Sequence, residues 1–258
     1  MNDKLLVETA VLAGEIMLIS GAEIFRVENT IDHILRKAGR KTCEAIVFST
    51  GIFASLNDPA IEAITVARRV TVRATNLNRV YLVNDVSRKL CGDQMTVEEA
   101  YERLKEIQTV MQYSRWLKNA GIVGVSVFFT LLLGGGSRDF LAAAITGAVL
   151  AVAMEASNRL RLNDFCMNGI SAFLIAFTAL SVERFLLPGI KSDIIIIGAI
   201  MPLVPGVIFT TAIRDTLNGD YASGTARMVE AVVIALSVAA GVGAGIRLFQ
   251  WIIGGLIW

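Results

Sequence analysis

Between Met201 and Arg227 the chain reads MPLVPGVIFTTAIRDTLNGDYASGTAR, an apolar run ending in a polar turn that carries Arg214, Asp215, Asp220 and Arg227. Pro202 and Pro205 lie inside the apolar part. A proline there removes an N–H and clashes with the preceding turn, freeing carbonyls that hydrocarbon cannot satisfy. Such a break persists at membrane depth only where protein or a water-filled cavity takes up the freed groups. Two readings follow. The stretch is either a proline-kinked membrane helix ahead of a solvated turn, or a broken helix whose half-helix N-terminus faces an anionic substrate group. A second set of charges, Glu23, Arg26 and Glu28, falls at one end of a helical stretch. Charges so spaced are ordinarily a solvated face.

Other chemistries are poorly supplied. Cys43, Cys91 and Cys166 are far apart with no CxxC, and His33 is the single histidine. A metal site is therefore not expected, and the thiols read as reduced structural residues. His33 flanks Asp32 on an exposed helix and reads as solvated. No P-loop, GxSxG or dinucleotide fingerprint occurs. No catalytic residue, no cofactor and no ATP-driven step are expected. A net charge of +1, without a basic patch of interleaved aromatics, gives no case for nucleic acid.

The elements that must position these residues differ in composition along the chain. A mean hydropathy of +0.61 is too apolar for a soluble protein, yet 18% charged residues are too many for a chain buried in membrane throughout. The charges crowd into the first 118 residues. The expected fold is an α+β cytoplasmic domain, residues 1–117, followed by an α-helical transmembrane domain of five helices, residues 118–258. The N-terminus has acidic residues through its apolar part and no small-residue cleavage site after a basic start. No signal peptide is expected, and the N-terminal domain stays in the cytoplasm.

In the first domain, Asp3 to Ala38 carries helical periodicity, with a break at the capping-box spacing Ser20–Glu23 and a stop at Gly39. Lys41 to Leu56 is rich in β-branched and aromatic residues, with Gly51 a bend or bulge, and Asn57-Asp58-Pro59 is a turn. Glu62 to Arg73 alternates strictly, Ile64, Val66, Val70 and Val72 against Thr65, Arg69, Thr71 and Arg73. Arg68 interrupts the apolar row, so two short strands with a turn at Ala67–Arg68 are possible. The wet face of this small, mostly antiparallel sheet is expected to be basic. Leu77 to Leu90 reads as a helix ended by Gly92, and Thr96 to Glu99 as a capping box that starts a charged helix.

Five apolar spans follow: Ala120–Gly136, Phe140–Ser157, Asn168–Leu187, Ile194–Thr211 and Val229–Leu248, each near the ~20 residues that cross about 30 Å of hydrocarbon. Arg115, Lys118, Arg159, Arg161, Arg214 and Arg227 fall on one side, and Arg138, Lys191 and Arg247 on the other. The positive-inside rule then puts the N-terminal domain and the Met201–Arg227 turn in the cytoplasm, with the C-terminus, anchored by Trp251 and Trp258, outside. Small residues in AAAITGAVLAVA and AAGVGAG suit close helix packing. Glu155, with Asn158 beside it, sits near the inner end of the second span, and Asn168 opens the third. A charge at mid-helix costs about 2.5–3.5 kcal/mol on insertion scales, so Glu155 either lines a pathway or reaches the interface.

Four stretches, SGAEIFRVENTI, TNLNRVYLVNDVSR, GVSVFFTLLLGGG and PLVPGVIFTTAIRDTLNGDYASGTAR, resemble the threonine/serine exporter family in its N-terminal-half form, over nearly the whole chain. The resemblance implies a multi-pass protein of the cell (plasma or inner) membrane. It implies a subunit of a secondary exporter of small carboxylate-bearing metabolites, either threonine/serine-type amino acids or dicarboxylates such as succinate. The partner implied is a separate small integral-membrane subunit supplying the second membrane half. In that setting Pro202, Pro205 and Gly206 would unwind the fourth helix toward a substrate carboxylate. Thr210 and Thr211 would add hydroxyls and Arg214 a guanidinium fork. Asp215 and Asp220 would hold Arg214 and Arg227 or an ammonium group, with Ser223 in the same turn, and Glu155, Asn158 and Asn168 complete the pathway set. Two other classes stay open. One is a membrane-anchored, hydrolase-like enzyme using Glu23, Arg26, Glu28, Arg69, Asn78 and Arg79. The other is a regulatory subunit that binds a metabolite on its cytoplasmic domain.

Overall fold

The structure, a computed structural model, describes residues 2–71, 74–110, 113–160 and 162–255. The chain divides into two compact units, Met1–Met111 with Val207–Val229, and Gln112–Gly206 with Glu230–Trp258.

The first unit is built on α1 (Asp3–Ile19), whose side chains from Leu6 to Leu18 are almost all buried. It is capped by Asn2, which accepts the Leu5 N–H. Burial nearly all round follows from its place in the middle of the unit, against α2 (Ile24–Arg36), the sheet, α3 (Leu77–Cys91) and α4 (Val97–Thr109). Gly21 takes φ +83° in the α1–α2 turn, where a side chain would be strained. The expected capping box does not form there. Glu23 is the N-cap of α2 but makes no side-chain cap bond. The Thr96 box does form, with Thr96 N–H to Glu99 Oε2 at 2.8 Å and Glu99 N–H to Thr96 Oγ1 at 3.2 Å.

The sheet is antiparallel in the order β1 (Thr42–Phe48), β2 (Gly51–Asp58), β3 (Ile61–Arg69). Gly51 begins β2 opposite Phe48, so the bend expected at Gly51 within Lys41–Leu56 is a tight hairpin turning at Ser49–Thr50. β3 runs unbroken through Ala67–Arg68. Arg68 lies in register with buried Ile52 and meets Glu15 of α1 at 3.6 Å, which accommodates a charge in the core-side row. The outward face differs from the basic one expected. Exposed Ile46, Phe48 and Phe53 share it with Arg69, and Arg73 lies outside the described residues.

The second unit comprises α5 (Arg115–Leu132), α6 (Ser137–Leu160), α7 (Asp164–Phe185), α8 (Ser192–Ile200), a 3-10 turn at Met201–Leu203, and the greater part of α10 (Tyr221–Gly255). Between them, α9 (Gly206–Leu217) and the first turns of α10 fold with the first unit. Small residues set the helix spacing. A Cβ on Gly241 would run into Gly169 O of α7, and one on Gly245 into Phe173 O. This is the close backbone approach that small-residue ridges permit.

The expected order, an α+β domain followed by a five-helix transmembrane domain, is corrected on two counts. Among the described residues three helices are long and apolar enough to cross a membrane, Ser137–Leu160, Asp164–Phe185 and Tyr221–Ile253. A fourth is counted only if the bent pair Ser192–Leu203 and Gly206–Leu217 is one span. The first expected span falls short because α5 spends its opening turns on Arg115, Lys118 and Asn119. The fourth is split because α8 has only 9 residues before the proline-bearing turn. Nor is the first unit an N-terminal block followed by a helical one, since it takes back Val207–Val229 after the helices have begun.

Candidate functional site

The polar turn and the Glu23–Glu28 end of α2, distant in sequence, form one site within the first unit. An α-helix leaves its first N–H groups without partners and presents a partial positive charge there. At α2 that need is met from outside the helix. Asp215 Oδ1 accepts the Ile24 N–H at 3.1 Å. Its Oδ2 lies 3.1 Å from Arg227 Nη1 as a charge contact that lacks hydrogen-bond geometry. Both side chains are shut away from solvent, at 0% and 4% exposed. Arg227 also donates through Nη2 to Ala22 O at 3.1 Å, taking up a carbonyl of the turn that precedes α2.

Around this buried pair the contacts become progressively wetter. Arg214 Nη1 donates to Glu23 Oε1, and Glu23 Oε2 reaches Arg26 Nε at 3.5 Å. The Arg214 side chain is 66% exposed, so its guanidinium stays open to solvent while paired. Ser223 Oγ accepts the Ser49 N–H at 3.1 Å, fixing the β1–β2 turn to the start of α10. Asp220 Oδ1 accepts the Ser223 N–H at 3.3 Å, a capping contact, while its Oδ2 is buried with no hydrogen-bond partner among the described residues. Gly219, at φ +92°, lets the chain reverse between α9 and α10. Gly224 has no side chain, so α10 closes on Ala212 O and Thr216 of α9.

These contacts frame a cleft of about 340 Å³ between α2, β1 and the α9–α10 turn. Its walls are apolar, with Phe25, Ile46 and Phe48 prominent, and its charged groups are Glu28, Asp215 and Asp220. A small polar metabolite fits that volume, and the combination of apolar walls with a few convergent polar groups is typical of ligand sites. Among the described residues no group of three or more His, Cys, Asp or Glu side chains is placed to hold a metal ion.

Burial pushes the Glu28 carboxyl above its ordinary range. The Val47 N–H, donated to Oε1 at 3.0 Å, opposes that shift, and the Asp220 and Asp32 charges add to it. The folded state therefore keeps a proton on Glu28 at pH values where the unfolded chain has lost it. Stability from this group is present below the ordinary carboxylate value and lost as pH rises through the raised one. Glu28→Gln, which keeps an oxygen for Val47, is expected to unfold at a higher temperature than the unsubstituted protein at pH 7.5. The gap should close as pH falls toward 4.5. A gap that is constant between those pH values in thermal unfolding would show that Glu28 titrates normally.

The structure thus brings together Glu23, Arg26 and Glu28 with Arg214, Asp215, Asp220, Ser223 and Arg227. The other candidates are placed elsewhere. Arg79 Nη2 donates to Gln108 O at 3.0 Å and Val110 O at 3.2 Å, tying α3 to the end of α4. Asn78 is exposed on α3, and Arg69 is exposed at the end of β3. The Thr210 and Thr211 hydroxyls donate to Val207 O within α9. In the second unit Glu155 pairs with Arg159 at 3.3 Å and Arg115 at 3.5 Å, Asn158 is exposed at the end of α6, and Asn168 is buried on α7. Pro202 and Pro205 flank the helix break and Gly206 begins α9. Sequence reasoning missed the Ile24, Val47 and Ser49 N–H groups and the Ala22 carbonyl. Backbone groups carry no residue-type signal, and only the SGAE break, which reads as a capping box, pointed toward them.

Among the described residues, three helices long and apolar enough to cross a membrane mark an integral membrane protein. The chain belongs to the threonine/serine exporter family, ThrE, described as "Putative threonine/serine exporter", whose profile matches residues 8–249. It is similar to the "Probable threonine/serine exporter" of Mycobacterium tuberculosis, 22% identical over 96% of this chain and 47% of that protein. It is also similar to the "Threonine/serine exporter" of Corynebacterium glutamicum, 25% identical over 68% of this chain and 37% of that protein. A further relative is the "Probable succinate transporter subunit YjjP" of Escherichia coli, 25% identical over 89% of each. The chain spans about half the length, or less, of the first two curated relatives it matches. No solved structure matches it. The family is one of membrane exporters, not of enzymes.

Proposed function

We propose that this chain is one subunit of a secondary exporter of small carboxylate-bearing metabolites, and that a separate small integral-membrane subunit completes it. The observation that carries the reading is the convergence of the α9–α10 turn with the α2 N-terminus around the acidic cleft. The segment from Gly206 to Arg227 leaves the proline break and delivers Asp215 and Asp220 to a site of metabolite size. The partner is supported by a relative, 25% identical over 89% of each chain, that is named a transporter subunit.

Electrostatics choose between the two substrate kinds. Glu28, Asp215 and Asp220 face the cleft, while Arg227 is buried against Asp215 and Arg214, though paired with Glu23, stays exposed at the edge of the site. A dicarboxylate entering there meets like charge. An amino acid presents an ammonium group to Asp220 and Glu28, and its carboxylate to the exposed Arg214. The threonine/serine type is therefore favoured over succinate.

The first unit holds both the N-terminal helices and the α9–α10 turn, which supports reading both as lying on the cytoplasmic side of the cell membrane. α10 starts there and, at 35 residues, is about 52 Å long, ample for one crossing that leaves the C-terminus outside.

The test is efflux from preloaded cells expressing the chain with its partner, normalised to membrane abundance. Threonine flux is expected to exceed succinate flux. Arg214→Lys should retain part of the threonine flux with weaker affinity, because lysine is a point charge rather than a planar fork. Arg214→Ala should lose most of it at unchanged abundance. Preference for succinate would overturn the amino-acid reading, and full equivalence of lysine would reduce Arg214 to a topological charge.

A further inference from the structure

α10 carries two ridges of small residues. Ser237, Gly241 and Gly245 repeat every four residues and are closed against α7: Ser237 Oγ donates to Phe165 O at 2.6 Å, and a Cβ on Gly241 or Gly245 would strike α7 backbone. Ala235, Ala239 and Gly243 repeat at the same spacing, shifted by two residues and therefore turned by roughly 200° to the other side of the helix. This second ridge is exposed, and no atom of the described residues lies within 4 Å of a Cβ built on Gly243. Together with Val238 and Val242 it forms one wall of an apolar cleft of about 500 Å³. The other wall is Ile200, Val204 and Pro205 at the helix break.

The geometry points to this cleft as the seat of a transmembrane helix of the separate membrane subunit, docked on Ala235, Ala239 and Gly243 and closing over the proline break. This rests on the two-subunit reading above and assigns it a surface. A lipid chain would fill apolar volume equally well beside large side chains. Small residues at every fourth position matter to a helix, because they let its backbone approach closely and gain packing that lipid does not supply. α10 already uses that arrangement on its opposite side. The relatives support a second subunit as the source of such a helix: one matched over 89% of its length is named a transporter subunit, and this chain matches 47% of the Mycobacterium exporter.

The probe is the membrane protein of the same genome that matches the uncovered part of the Mycobacterium relative, co-expressed with the full chain. Photo-crosslinkers at Ala239 and Gly243 should yield an adduct of the two proteins. Crosslinkers at Ala240 and Ala244, on another exposed face of α10, should yield little. Gly243→Leu and Ala239→Leu should each lower co-purification at least tenfold while the chain keeps its membrane abundance and thermal unfolding, since a side chain at Gly243 meets open space. Two outcomes overturn the surface but leave the subunit reading standing: a complex that forms normally in both leucine variants, or adducts that link two copies of this chain or lipid alone. Full threonine flux from the purified chain by itself, with no complex formed, overturns both.

Discussion

Arg227→Ala is expected to remove most of the folded protein. The guanidinium is the counter-charge of a carboxylate that is itself fully buried, and removing one member of such a pair leaves the other unpaired in low dielectric. The expected cost is about 3–5 kcal/mol, a large fraction of the stability of any domain. The double variant Asp215→Asn with Arg227→Met should recover much of the loss. Asparagine still offers an oxygen to the Ile24 N–H, methionine fills the arginine stem's volume, and neither position of the pair carries a charge. Thermal unfolding in detergent, with membrane abundance alongside, separates the cases. A double variant no more stable than the single would mean that Arg227 acts through its bond to Ala22 O and not through its charge.

The second large effect belongs to transport. Asp220→Asn is expected to lower threonine efflux about tenfold or more, the loss expected when a charge-assisted hydrogen bond of roughly 1.5–3 kcal/mol becomes a neutral one. The protein itself should persist, because asparagine keeps the capping oxygen for the Ser223 N–H and relieves a buried, unpartnered carboxylate oxygen. Glu28→Gln in the same background should add little if both carboxylates hold one ammonium group, since groups acting as a unit are not additive. Unchanged threonine flux in Asp220→Asn at normal abundance would remove the cleft from the transport path. The acidic turn would then be a fastening between α9–α10 and α2.

What the sequence determined by itself is what depends on near neighbours in the chain. Helical periodicity marked α1 to α4, the Thr96–Glu99 box formed as spaced, alternation marked β3, and Pro202 and Pro205 marked the break. Each signal arises from residues one to four positions apart, the range over which side chains meet on one helix or alternate across one strand. The motifs also carried the family. Tertiary structure decided which charges meet. Glu23 and Arg214, 191 residues apart, satisfy each other, and Asp215 supplies the cap that the local box at Ser20–Glu23 was expected to provide. Two constellations that read as separate sets, one on a solvated helix face and one in a solvated turn, became a single site. Hydropathy also overstated the number of membrane helices. An apolar stretch such as Ile194–Thr211 has the length for one crossing, but the prolines and the partners that its far end finds in the first unit divide it. A residue's type records what it needs, here a counter-charge or an N–H to accept. Which distant group fills that need depends on how the whole chain packs.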